Sequence, residues 1–276
     1  MKEAPKKIGK RILLGMVILL LVLTAWYEHP VTETITVSAK GKTDTPIRIA
    51  LITDLHSCYY GKGQSQLLRM IEKENVDLIL LAGDIFDDRM DDGNAEALIE
   101  GICEKYPCCY VTGNHEFWGN KTDAVKEFMK EHGVMVGEGT HFPVDIKGNT
   151  IILGGVDDPT YLSPDEWKAQ LDAAYAEEYP DKYQILLSHR PERGKDYSKY
   201  DFDLVVSGHA HGGQWGIPFT QRGVAAPDQG LFPTVVDGLY QLSGGTDLVV
   251  SRGLCRERMP LPRFFNHPEI VILELE

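Results

Sequence analysis

Short, almost unbroken apolar runs that each stop at a polar residue constrain this chain more than any other feature. IRIALIT (Ile47–Thr53) stops at Asp54, and VDLILLAG (Val76–Gly83) stops at Asp84. Cys108–Val111 is followed by Gly113-Asn114, Gln184–Ser188 by His189, and Leu204–Ser207 by Gly208-His209. Runs this short and this apolar read as strands covered on both faces, because a strand with one wet face would alternate. Gln64–Glu74, Ala95–Cys103 and Lys121–His132 have helical spacing and lie between the first runs. Strand–helix alternation implies parallel pairing through right-handed crossovers. The second half predicts a hairpin, Val144–Ile146 with Thr150–Val156, around Lys147-Gly148-Asn149. It also predicts a helix over Pro164–Ala176 and tail strands Gly238–Ser243, Asp247–Ser251 and Glu269–Glu276. The expected fold is α/β: two packed mixed β-sheets flanked by helices, in one domain from 47 to 276. Residues 31–46 are Thr-rich and read as linker, with Thr34–Val37 as an edge strand.

The N-terminus is different in kind. Lys2, Lys6, Lys7, Lys10 and Arg11 face only Glu3, and an uncharged apolar run, Ile12–Tyr27, follows. Sixteen residues at about 1.5 Å each span about 24 Å, short of a bilayer core of about 30 Å. Ile8 and Gly9 extend the run if Lys10 and Arg11 snorkel. Trp26-Tyr27 close it and no A-x-A cleavage pattern is present, so residues 1–30 are expected to be a basic tail and a transmembrane signal anchor. A cleaved signal and a soluble helix are the other readings. Positive charge before the run places the N-terminus in the cytoplasm and the domain outside the cytoplasmic membrane, in a single pass.

Net charge is −13 over 276 residues, which disfavours a partner such as long nucleic acid. The five cysteines show no CxxC zinc spacing. One disulfide is compatible with export, without an assignable pairing. Cys108-Cys109 is expected to pack as small hydrophobes.

The polar residues at the strand ends carry the chemistry. Asp54, His56, Asp84, Asn114, His189, His209 and His211 would converge beyond the carboxyl ends of the strands, where α/β sheets build their sites. Seven nitrogen and oxygen donors are too many for one ion with an open position. They suit two ions sharing a carboxylate, and a donor set without thiolate favours Mn, Fe or Zn over Ca. Taken singly, Asp54 and Asp84 could be helix caps, and His209 and His211 surface residues. His29, His132, His141 and His267 match no such position.

D-L-H at 54–56, G-D-x-x-D at 83–87, G-N-H-E at 113–116, S-H at 188–189 and G-H-A-H at 208–211 occur in order. In this the chain resembles the calcineurin-like metallophosphoesterase family, from about Ile47 to the C-terminus. Gly208–Pro218 and Ser251–Ile270 are similar to a membrane-associated bacterial branch of it, the YkuE/YaeI-like phosphoesterases. The resemblance implies the αββα sandwich and a cofactor of two divalent transition-metal ions. Asp54, His56 and His211 would hold one ion, Asn114, His189 and His209 the other, and Asp84 would bridge them. It further implies attack on phosphorus by a metal-bridging hydroxide, with His115 as general acid and Asp87 orienting it.

Protein phosphatases of the family carry arginine after this aspartate; here Asp88 stands there, which points away from phosphoprotein substrates. Arg190 and Arg193 are read as exposed ion-pairing residues, with phosphate binding the other reading. Tyr59-Tyr60, Trp215, Ile217, Phe219, Leu231 and Phe232 are expected near the mouth, as core or as an apolar rim. The expected activity is hydrolysis of a phosphoester or pyrophosphate on a lipid or envelope substrate. The alternatives are a nucleotide or cyclic-nucleotide phosphodiesterase and a non-catalytic binding scaffold.

Overall fold

The structure is a computed structural model and describes residues 4–25, 28–218, 220, 222–256 and 262–276. Along the chain come α1 (Ala4–Ala25), β1 (Val31–Val37), β2 (Ile47–Ile52), α2 (Ser65–Glu74), β3 (Leu78–Ala82), α3 (Gly93–Cys103) and β4 (Cys108–Val111). Then follow α4 (Asn114–Trp118), α5 (Thr122–Glu131), β5 (Met135–Val136), β6 (Thr140–Ile146), β7 (Asn149–Gly155), α6 (Pro164–Ala174) and β8 (Tyr183–Leu187). The remainder is α7 (Gly194–Tyr197), β9 (Leu204–Ser207), β10 (Ala225–Ala226), β11 (Gly230–Leu231), β12 (Gly238–Gln241), β13 (Asp247–Val250) and β14 (Glu269–Leu275).

Two six-stranded mixed sheets form, in the orders β1-β14-β2-β3-β4-β5 and β12-β13-β9-β8-β7-β6. The apolar runs occupy the centres of both, as covered faces require. In β3, Leu78, Leu80 and Ala82 point into the core between the sheets, while Ile79 and Leu81 point to the helices. In β4 the two cysteines divide the same way: Cys109 enters the inter-sheet core, and Cys108 packs with Leu98, Ile99 and Ile102 of α3. Across the second sheet, Leu186, Val205 and Leu248 meet Trp167 and Leu171 of α6. Each fully buried leucine, isoleucine or valine among them is worth about 1.5–3 kcal/mol. The layers are therefore helix, sheet, sheet, helix, and β2, β3, β4, β8 and β9 end at one rim.

Several expectations differ in extent. The edge strand β1 begins three residues earlier than expected, at Val31, because all seven of its residues pair with β14 in parallel. A short helix that the sequence analysis does not include, α4, begins at Asn114 directly after Gly113. No disulfide forms among the described residues, which include all five cysteines. The apolar N-terminal run is helical in α1, and Ile12, Leu13, Leu19 and Leu23 are exposed. Among the described residues, however, no helix is long and apolar enough to cross a membrane, so the expected transmembrane span is not found there. Trp26 and Tyr27, which would close the run, lie outside the described residues, as does Phe219 of the expected rim.

Candidate dimetal centre

Each strand end delivers its polar residue by an abrupt turn. The loops after β2 and β3 are stitched together. Asp54 N–H donates to Gly83 O (3.0 Å), His56 N–H to Asp84 O (2.9 Å) and Ser57 N–H to Ile85 O (3.1 Å). Asp54, His56, Asp84, His209 and His211 all adopt positive φ, between 47° and 66°. Non-glycine residues seldom sit there, and each such residue costs about 1–3 kcal/mol. Five of the seven expected ligands share that strain, which marks the rim as built for aim rather than for stability. Close approach also fixes two glycines. A Cβ on Gly113 would lie 2.2 Å from Asp84 Oδ1, and one on Gly208 would lie 2.3 Å from Asp54 Oδ2.

The side chains converge. Asp84 Oδ2 stands 3.6 Å from His56 Nε2 and 3.1 Å from His189 Nε2, between the two halves. On one side, Asp54 Oδ1 is 3.9 Å from His56 Nε2 and 3.7 Å from His211 Nε2. On the other, His209 Nδ1 is 3.2 Å from His189 Nε2. His56, Asp84, Asn114, His115, His209 and His211 line one cavity of about 370 Å³, with Asp54 and His189 fully buried behind it. All seven expected ligands, and His115, are thus brought to one place.

A pair of cations fits this set. His56 Nε2, Asp84 Oδ2, Asn114 Oδ1 and His211 Nδ1 are buried without a hydrogen-bond partner. An unpaired buried polar atom costs about 1–3 kcal/mol, so four in one cavity call for a ligand. The far nitrogens are meanwhile held. His189 Nδ1 donates to Ala82 O (2.8 Å), and His56 Nδ1 meets Asp87 Oδ2 (3.1 Å). His209 Nε2 meets Asp228 Oδ2 (2.9 Å). Such outer contacts fix the tautomer and turn the near nitrogen toward the ion.

The charges agree with that reading. Burial alone would raise the Asp84 carboxyl, but His189, His56 and His115 hold it well below the usual carboxylate range. Burial, helped by His56, keeps His211 well below its ordinary value and therefore neutral, the form that binds metal. Burial opposes protonation of His189, yet Asp84 pushes it up to about 10, so a proton and a cation compete for Nε2.

Further contributions escaped the sequence reading. Asp88 Oδ1 lies 2.7 Å from His115 Nδ1, closer than Asp87 Oδ2 at 3.4 Å. Asp87 is buried and divides itself between His56 and His115. Burial would lower His115, and Asp87, Asp84 and Asp88 together raise it. Arg190, expected at the surface, is buried: its guanidinium grips Asp158, Thr160 and Asp228 and lies 2.9 Å from His209 Nε2. The physical reason is its position directly after a strand-end ligand, which carries it inward. Arg193 is exposed as expected, 5.4 Å from the Trp167 ring. Cys255 Sγ falls within 4.8 Å of nitrogens of His56 and His211, so a sulfur borders the donor set expected to lack one.

Glu116 is another. Fully buried, it accepts from four backbone N–H groups: Asp84 (3.2 Å) and Gly113 (2.8 Å) on Oε2, Ile85 (2.9 Å) and Phe86 (3.1 Å) on Oε1. It ties the loop after β3 to the start of α4. The signal available was a Glu three residues beyond a helix-capping position. Glu116→Gln keeps the shape but turns an NH₂ toward two of these donors. At about 1–3 kcal/mol for each unsatisfied donor, a loss of about 2–6 kcal/mol is expected in urea unfolding.

The sequence profile of the calcineurin-like phosphoesterase family matches residues 47–213. An uncharacterized metallophosphoesterase of Bacillus subtilis, YkuE, is 30% identical over 235 residues, covering 83% of this chain and 79% of the relative. A second uncharacterized metallophosphoesterase, Cj0846 of Campylobacter jejuni, is 32% identical over 240 residues, covering 83% of this chain and 59% of the relative. The chain thus spans about three fifths of that relative, as it does of a Helicobacter pylori relative (61%). GAP50, the anchor in the inner membrane complex of Plasmodium, shares the fold, with a TM-score of 0.50 at 14% identity over 84% of this chain and 81% of that one. The chain belongs to the calcineurin-like metallophosphoesterases, a family that uses divalent metal ions.

Proposed function

We propose that this protein is a dimetal phosphoesterase that cleaves a phosphoester or pyrophosphate bond of a lipid or cell-envelope substrate. The observation that carries the reading is the set of four unpartnered donor atoms, on His56, Asp84, Asn114 and His211, sharing one cavity with His115. Asp54, His56 and His211 would hold one ion, Asn114, His189 and His209 the other, and Asp84 would serve both. When bound, the two cations supply an acidified water and neutralise the phosphoryl oxygens.

The chain's own residues do the rest. The water oxygen bonds to phosphorus as the bond from phosphorus to the leaving oxygen breaks. His115 Nδ1 is held by Asp88 and Asp87, which leaves Nε2, 4.0 Å from Asp84 Oδ2, directed at the reacting centre. From Nε2 a proton passes to the leaving oxygen, which departs as a neutral alcohol. Asp228 and Arg190 keep His209 from turning.

The lipid or envelope assignment and the location at the cytoplasmic membrane rest on residues 12–27. Ile12, Leu13, Leu14, Leu19 and Leu20 of α1 are exposed, and a helix apolar on all sides is covered by lipid or by protein. The domain would then face the extracytoplasmic side. A panel of lipid phosphoesters and cyclic nucleotides, run on the full chain with Mn²⁺, tests the reading. Preferred turnover of the lipid esters supports it. Preference for the cyclic nucleotides would replace the substrate class, and silence on the whole panel would remove the enzyme.

A further inference from the structure

The chain that follows the last two expected ligands builds a small platform outside both main sheets. Trp215 bridges Phe264, and Gly216 N–H donates to Phe264 O (2.8 Å). Val224 N–H donates to Trp215 O (3.0 Å), and Phe232 N–H to Val224 O (2.9 Å). Residues 264–265, 215–216, 223–224 and 231–232 therefore lie side by side. Three of these four segments hold apolar side chains in water: Leu231 is 73% exposed, Phe232 70%, Phe265 42% and Trp215 38%. Backbone hydrogen bonds fix the segments, so the exposure is displayed by the fold. A patch of this kind marks a surface that meets another apolar body.

The platform connects two places. Inward, the turn between β10 and β11 carries Pro227 and Asp228 to the wall of the metal cavity, where Asp228 meets His209 at 2.9 Å. Outward, Arg263 N–H donates to Glu28 Oε1 (3.2 Å), three residues beyond the end of α1. That bond sets the exit of α1, a helix apolar and exposed on all sides, beside the platform. Whatever covers α1 is then continuous with what the platform faces. Charge selects lipid. Ile217 N–H donates to Arg222 O (2.8 Å), which closes a loop on the platform, and the Arg222 side chain is exposed and makes no ion pair among the described residues. A cation among exposed apolar side chains suits anionic headgroups, which would otherwise repel a chain of net charge −13.

We infer that this platform docks on an anionic lipid bilayer, with Leu231 and Phe232 among the acyl chains and Arg222 at the headgroups. Docking would set the mouth of the metal cavity at headgroup level, where a lipid phosphate lies. The inference rests on the membrane location proposed above, and its test needs no turnover. The full chain is reconstituted in vesicles of equal parts phosphatidylcholine and phosphatidylglycerol, with plain or brominated acyl chains. Leu231→Trp and Phe232→Trp each add an indole to the platform. Asp181→Trp adds one at the opposite rim, on an exposed residue just before β8. The emission added by Leu231→Trp and by Phe232→Trp should shift to the blue and be quenched by bromine, and that added by Asp181→Trp should do neither. Phe232→Asp, combined with Leu231→Trp, should abolish both effects. Emission at Leu231→Trp and Phe232→Trp that bromine leaves unmoved, or equal quenching at Asp181→Trp, would overturn the docking. A blue shift without lipid that grows with protein concentration would overturn it too, and give the platform to a second copy of the chain. Metal content and turnover of the wild type, measured alongside, keep the two readings apart: docking that fails with both intact leaves the phosphoesterase standing.

Discussion

Asp84→Ala is expected to empty both halves of the metal centre and to reduce turnover to that of the metal-free protein. Its Oδ2 is 3.1 Å from His189 Nε2 and 3.6 Å from His56 Nε2, closer to both than Asp54 Oδ1, which is 3.9 Å from each. It is also the charge that balances them, because the buried carboxyl is held ionised chiefly by His189 and His56. Removing it leaves two groups of histidines without the anion that makes a dication welcome. Asp54→Ala makes the contrast, since Asp54 Oδ1 lies nearest His211 Nε2, at 3.7 Å, and its loss should empty the half that holds His211 first. Elemental analysis of both variants beside the wild type checks this. Retention of two ions by Asp84→Ala would mean that Asp84 does not bridge.

His115→Ala should do the opposite: full metal content with a fall in turnover of about 10²- to 10⁴-fold. The fall depends on the leaving group. An alkoxide cannot depart without a proton, whereas p-nitrophenolate can, so the loss should be largest on alkyl esters and small on p-nitrophenyl esters. Asp88→Asn should show a weaker form of the same split, because Asp88 makes the shorter of the two carboxylate contacts to His115 Nδ1. A uniform loss on both ester types would reassign His115 to a role in binding.

The sequence made the layers and the seven convergent residues legible because both follow from local rules. A doubly covered strand must be apolar throughout, and a residue just past its end must point into the rim. What it hid depends on contacts made at long range. Asp228 reaches His209 from the turn between β10 and β11, two-residue strands with no period to detect. Arg190 looks like any charged residue after a strand until Asp158 and Asp228 close around it. Asp88 was masked by the acidic run in which it sits, and only the backbone turn held by Asp87 Oδ1, which accepts from Arg89 and Met90 N–H, aims it at His115. Trp118, which stacks edge to face on His115, was within reach of sequence reasoning: taking Gly113–Glu116 as a helix start would have put it one turn beyond His115. The apolar N-terminal run shows the limit of composition, which identified a helix but not what covers it.

The site is proposed to hold two transition-metal ions in one cavity. Elemental analysis of the full chain, purified without chelator and dialysed against metal-free buffer, tests it most directly. Close to two equivalents of Mn, Fe or Zn per chain are expected, lost together with phosphodiester turnover on chelation and regained with it on adding Mn²⁺. A chain that retains no transition metal, and gains neither metal nor turnover when Mn²⁺ is supplied, would contradict it.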